Sequence, residues 1–152
     1  MRIEIASRAD ALALVEAAKV QTAVISITST DEPDVIFPEN PHLEAILRLK
    51  CNDLTEEYDE DGIPYGRPLP KPEDFSGLKA FVSGLCCEQL IVHCHEGESR
   101  SAAVAAAFYE YRGGTDELRT RQRFSPNPLV YSLACRELGI PEGDLTYTPG
   151  RS

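Results

Sequence analysis

Gln89-Leu90-Ile91-Val92-His93-Cys94-His95-Glu96-Gly97-Glu98-Ser99-Arg100-Ser101 is the stretch on which the reading of this chain turns. Leu90-Ile91-Val92 is an apolar, β-branched run of the kind that forms a buried strand. Gly97 permits a positive φ in mid-turn. Ala102-Ala103-Val104-Ala105-Ala106-Ala107 follows at once and has high helix propensity. The segment therefore reads as strand, tight turn and helix start, with a cysteine opening the turn and an arginine closing it.

That arrangement suits a thiolate attacking a phosphate. Successive backbone N–H groups over residues 95–100 make an anion-binding nest, and a helix N-terminus beneath them adds partial positive charge. The field that holds a phosphate also stabilises a thiolate, so the Cys94 pKa is expected to fall. Arg100 offers a planar fork of donors that fits two phosphate oxygens. The expected phosphate-binding set is His95, Glu96, Gly97, Glu98 and Ser99, through their backbone, together with Arg100. A bare Cys-x5-Arg spacing is a weak signal, and the strand before it, the glycine within it and the helix after it give it weight. No other cysteine of the chain has an arginine six residues on.

Outward from this core, the 152 residues are 42% hydrophobic and 26% charged, which predicts one globular domain over 1–152 with a loose tail from 141. Met1-Arg2-Ile3-Glu4-Ile5 begins like a strand and not like a secretory leader, and no apolar stretch is long enough to span a membrane. A cytoplasmic, monomeric protein is expected. The net charge of −10 argues against nucleic acid and anionic membranes as partners. The five cysteines form no zinc-type pairs and are expected to be free thiols. Cys51, Cys86, Cys87 and Cys135 read as small core hydrophobes, with Cys51 or Cys87 a candidate disulfide partner of an oxidised Cys94. His93 and His95 flank Cys94, but the change from strand to turn splits their directions and no carboxylate triad accompanies them, so no metal is expected.

The chain alternates strands and helices. Strands are predicted over 2–6, 22–28, 44–50 and 89–93. Helices are predicted from an N-cap at Ser7 to about Lys19, over 72–87 from the spacing of Phe75, Leu78, Phe81, Val82 and Leu85, from the Cys94 turn to about Arg112, over 115–123 and over 127–138. Residues 51–71 read as a long acidic loop. The spacing of Arg119, Arg121 and Arg123 does not place them on one helix face, and they read as solvated. Ligands in such sheets sit at the carboxyl ends of strands, where Cys94 falls.

His93-Cys94-x5-Arg100-Ser101 resembles the signature of the cysteine-dependent protein tyrosine phosphatases, closest to the small dual-specificity branch and its bacterial relatives. Asn127-Pro128-Leu129 is similar to the same region of the bacterial members. The resemblance implies an α/β fold with a central mixed, mostly parallel sheet flanked by helices. It also implies a phosphocysteine mechanism without metal or cofactor, and a phosphorylated protein or small phosphate monoester as substrate. Cys94 is then the nucleophile, Arg100 the phosphate ligand, His93 the residue that orients the loop, and Ser101 the hydroxyl that meets the leaving thiolate. The leaving oxygen needs a proton, which a carboxylic acid on a nearby loop supplies. Asp53, directly after the third strand and 41 residues before Cys94, resembles the acid-bearing segment of that branch; Asp59 and Asp61 are rivals further out. Glu98 departs from the pattern, since that place often carries an apolar or aromatic side chain. It keeps open a weakly active or inactive phosphate-binding (pseudophosphatase) module, and a rhodanese-type sulfurtransferase is a third reading.

Overall fold

Four strands and four α-helices follow one another in the order β-α-β-β-α-β-α-α in a computed structural model that describes residues 1–113, 124–143 and 145. The strands are β1 (Arg2–Ala6), β2 (Thr22–Thr28), β3 (Leu43–Lys50) and β4 (Gln89–His93). The helices are α1 (Arg8–Ala17), α2 (Leu78–Ser83), α3 (Arg100–Tyr111) and α4 (Pro128–Leu138). The sheet order is β1-β4-β2-β3 and every pairing is parallel. Where a mixed, mostly parallel sheet was expected, the described strands are parallel throughout. The antiparallel contact that exists is an isolated bridge, Tyr58 to Pro64, inside the loop after β3.

The last strand inserts between the first two, in register Ala6 to His93 on one side and Ser26 to His93 on the other. β1 therefore ends level with β4 and β2 runs two residues past it, so the turn that leaves β4 has scaffold on either flank. Strands buried on both faces are apolar on both faces, and side chains alternate between them. Leu90 and Val92 join Ala23, Ile25 and Ile27 in the main core under α3 and α4, while Ile91 joins Val24, Ala11 and Val15 under α1. The alanines of α3 are all buried; their small side chains let this helix lie close against the sheet and carry the turn before it.

The helix predicted over 72–87 is broken in two. A 3₁₀ turn at Pro72–Phe75 is closed by the Asp74 carboxylate accepting the Lys71 N–H at 2.9 Å. The chain then passes through Gly77 at φ +88° into α2, which Gly84 ends. Phe75, Leu78 and Val82 are still buried, because two short helices met end to end satisfy the same apolar spacing as one long helix. Ser7 caps α1 as expected, accepting the Asp10 N–H at 3.1 Å, and Asn127 caps α4 with Pro128 at its first position. Near the C-terminus, Gly143 N–H donates to the Tyr131 hydroxyl at 2.6 Å and Leu145 packs on the main core. The helix expected over 115–123, the three arginines within it and most of the expected loose tail lie outside the described residues. Among the described residues, no helix is long and apolar enough to cross a membrane.

Candidate active site

The turn between β4 and α3 is built by tying its carbonyls to the scaffold. The His95 carbonyl accepts the Arg8 N–H at 3.1 Å, Glu98 accepts the Ser125 N–H at 2.8 Å, and Ser99 accepts the Asn127 N–H at 3.2 Å. In a trans peptide the next N–H points opposite its carbonyl, so the N–H groups of Glu96, Ser99 and Arg100 face away from those partners. Gly97 N–H donates to the Cys94 sulfur at 3.3 Å. Ser99 occupies the N-cap position of α3, yet its side chain makes no cap hydrogen bond there, so the hydroxyl does not compete for the first-turn N–H groups that an anion would use.

Gly97 sits at φ +76° with the turn pressed against the β1–α1 junction. A Cβ on it would stand 2.4 Å from the Ser7 nitrogen and 2.5 Å from the Ala6 carbonyl carbon. Both neighbours are backbone, so neither can swing aside. Gly97→Ala is expected to destabilise the fold by more than about 2 kcal/mol, since the left-handed conformation alone costs about 1–2 kcal/mol. Thermal unfolding read by circular dichroism checks this, with a loss of about 4–8 °C expected at minimum for a chain of this size; an unchanged melting temperature would refute the close approach.

Cys94 is 2% exposed. Burial pushes its thiol up, but the Ser101 hydroxyl at 3.2 Å, the N–H groups of Ser101 and Gly97 and the charge of Arg100 outweigh it, and the thiol ends below its ordinary value. Arg100 is 5% exposed. Its Nη1 donates to the Ser29 hydroxyl at 3.0 Å and the Cys51 carbonyl at 2.9 Å, while its Nε is buried without a hydrogen-bond partner. Among the described residues no carboxylate forms an ion pair with it. His93 is buried, and burial holds its imidazole below its usual value. Its Nδ1 faces the Cys94 carbonyl at 3.1 Å and must donate to it, so Nε2 accepts the Ser26 hydroxyl at 2.6 Å. The imidazole thus pins the backbone of Cys94 to the middle of the sheet.

Asp53, three residues beyond β3, reaches the turn. Its Oδ1 accepts from the Ser99 hydroxyl at 2.7 Å and from the Asn127 amide at 2.8 Å. Asp53, Glu56, Tyr65, Ser99 and Asn127 line a polar cavity of about 270 Å³ beside it. The rival Asp59 is occupied in a tight turn, where its carboxylate accepts the N–H groups of Asp61 and Ile63 at 2.9 Å, and Asp61 is exposed. Glu96 and Glu98 point to solvent, and His95 lies exposed with its ring 3.5 Å from the Glu96 carboxylate. His93 and His95 therefore diverge. Among the described residues no group of three or more His, Cys, Asp and Glu could hold a metal ion.

All five cysteines are free thiols, as expected. Cys51, Cys87 and Cys135 are buried, whereas Cys86 is exposed and is not a core residue. Burial pushes Cys51 up to about 12. Cys87 precedes β4 while Cys94 follows it, which separates them by the strand's length of about 16 Å or more; a Cys87–Cys94 disulfide is ruled out. Four residues that sequence reasoning passed over belong to the site. Ser26 and Ser29 serve His93 and Arg100, Asn127 holds Asp53, and Asn52 joins the loops after β2 and β3 through Thr30 and the Pro68 carbonyl. The available signal for Ser26 was a polar residue in the middle of an otherwise apolar strand.

No protein-family model and no curated protein matches the sequence. Solved structures do. The structure of human DUSP28 superposes with a TM-score of 0.56 at 20% identity, over 90% of this chain and 91% of that one. PTPMT1 in complex with PI(5)P matches with a TM-score of 0.48 at 18% identity, over 91% of this chain and 90% of that one. The first of these, with the strand–turn–helix geometry around Cys94, shows that the chain shares the fold of DUSP28.

Proposed function

We propose that the chain hydrolyses phosphate monoesters through a phosphocysteine at Cys94, with phosphotyrosine or another phosphorylated protein side chain as the first substrate class. The observation that carries this reading is the orphan Nε of Arg100. A buried cation with an unused donor and, among the described residues, no ion-paired carboxylate is costly, and an anion bound in the turn would supply both the charge and the acceptor. Beside it stands a thiol whose pKa is lowered and which has a hydroxyl 3.2 Å from its sulfur.

In the first step the Cys94 thiolate attacks phosphorus in line. The S–P bond forms as the P–O bond to the leaving group breaks, and Asp53 gives that oxygen its proton. In the second step Asp53, now a carboxylate, takes a proton from water as the water oxygen bonds to phosphorus. The S–P bond breaks, inorganic phosphate leaves, and the Ser101 hydroxyl donates to the returning thiolate. Charge on the transferring group is met by donors already in place, the turn N–H groups and Arg100. His93 and Ser26 hold the turn and do not touch the substrate. Neither step asks for a metal.

The test is an acid quench during turnover of an aryl phosphate in EDTA, followed by phosphorus NMR and mass spectrometry of the Cys94 peptide. A thiophosphate signal and a mass increase of one phosphoryl group on that peptide are expected. Turnover of thiosulfate to a persulfide on the same peptide, with no phosphoenzyme, would sink the phosphatase reading in favour of sulfur transfer. Tight vanadate binding without turnover of any phosphate ester would sink it in favour of a binding module.

A further inference from the structure

We propose that Asn127 is the positioning residue of the acid, selecting Oδ2 of Asp53 as the atom that carries the proton to the leaving group; this rests on the phosphatase reading above. Asn127 is 5% exposed and meets three elements at once. Its backbone N–H donates to the Ser99 carbonyl at 3.2 Å, tying it to the phosphate-binding turn. Its side-chain oxygen accepts the N–H groups of Leu129 at 3.0 Å and Val130 at 3.1 Å, capping α4. Two backbone donors on that oxygen fix the orientation of the amide, so the nitrogen end faces the acid loop without ambiguity. There it donates to Asp53 Oδ1 at 2.8 Å and to the Leu54 carbonyl at 3.2 Å.

Ser99 donates to the same Oδ1. With two donors, both lone pairs of that oxygen are engaged, and a proton on the carboxyl group resides on Oδ2. The acid is thus preset. Its backbone is held at Leu54, one oxygen is clamped between the turn and α4, and the other, which has no hydrogen-bond partner among the described residues, is left to face the leaving group. Ser99 contributes from the turn that grips the phosphate, so acid and phosphate are referenced to one another, and Asn127 carries that reference on to a helix anchored in the main core.

Asn127→Ser and Asn127→Asp keep an oxygen able to cap α4 and remove the donor to Asp53. Turnover is measured on an aryl phosphate with a poor leaving group and on one whose phenol is acidic enough to leave unprotonated. Both variants are expected to lose about 10- to 100-fold in kcat on the first substrate, the scale of a misplaced catalytic group, and less than about threefold on the second. In an Asp53→Ala background, where the acid is already gone, Asn127→Ser is expected to change kcat on the first substrate by less than about twofold. Melting temperatures within a few degrees of wild type are expected, because the cap survives. Equal losses on both substrates, a full additional loss on top of Asp53→Ala, or no loss at all would overturn the proposal while leaving the phosphatase reading intact. A wild-type protein that turns over neither substrate would overturn both.

Discussion

Cys94→Ser should abolish metal-free turnover, with a loss of about 10³-fold or more, the scale seen when a covalent nucleophile is removed. The turn lowers the thiol's pKa through the Ser101 hydroxyl, the N–H groups of Ser101 and Gly97, and Arg100, against the opposing push of burial. The same surroundings cannot make an alkoxide of serine near neutrality, because a hydroxyl starts many pH units higher. The variant should still fold and still bind vanadate, since the nest is backbone and Arg100 is untouched. The wild-type thiol should also react with iodoacetamide at a pH where ordinary thiols are protonated. Cys51, pushed up to about 12 by burial, should stay unmodified. Mass spectrometry of the alkylated peptides reads both at once. Alkylation of Cys94 only above the ordinary thiol range would mean that burial dominates, and a Cys94→Ser protein that retains turnover would remove the phosphocysteine from the mechanism.

The pattern around Cys94 was readable because strand, turn and helix each carry a local signal. Leu90-Ile91-Val92 has to be buried, Gly97 has to turn, and the alanines after Ser101 have to be helical. The carboxyl-end rule then places the cysteine correctly with no further information, and Asp53 directly after a strand falls at the same edge. What the sequence hid is everything set by long-range pairing. That β4 inserts between β1 and β2 follows from the packing of faces and not from any residue. With that insertion come the Ser26–His93 bond, 67 residues apart in sequence, and the Arg100–Ser29 bond, 71 apart. Asn127 looks locally like a helix cap and nothing more, and it is one; its second role appears only when its amide is seen against Asp53, 74 residues earlier. The helix over 72–87 failed for the opposite reason. There the apolar spacing was true, but Gly77 and Gly84 set the local conformation, and spacing alone does not distinguish one helix from two fragments that bury the same side chains.

Glu98 can be weighed on the same physical footing. A carboxylate beside a dianion raises the cost of binding, and the concern is real if it points inward. Its carbonyl is bonded outward to Ser125 and its side chain is exposed, as is that of Glu96. Exposed charges at this range are screened by salt. Their effect should therefore fall on association of charged substrates and not on the bond-making step proposed for the buried Cys94.

Asp53→Ala should lower kcat about 10²-fold or more on substrates with poor leaving groups, the contribution expected of a positioned general acid. Vanadate affinity should be nearly unchanged. The loss should shrink as the leaving group becomes more acidic, because the proton that Asp53 supplies is then no longer needed. The ascending limb of the kcat–pH profile, set by Cys94, should remain, because the thiol keeps Ser101, Gly97 and Arg100 around it. In the proposed mechanism the same carboxylate activates water in the second step, so with good leaving groups the variant should accumulate phosphocysteine, detectable as a burst of product equal to the enzyme present. Asp59→Ala, in contrast, removes a carboxylate already committed to the Asp61 and Ile63 N–H groups and should leave kcat on poor leaving groups unaltered. If Asp59→Ala lowered kcat on poor leaving groups and Asp53→Ala did not, the Asp59 carboxylate would be the acid, and the clamp formed by Ser99 and Asn127 would serve only to fix the loop.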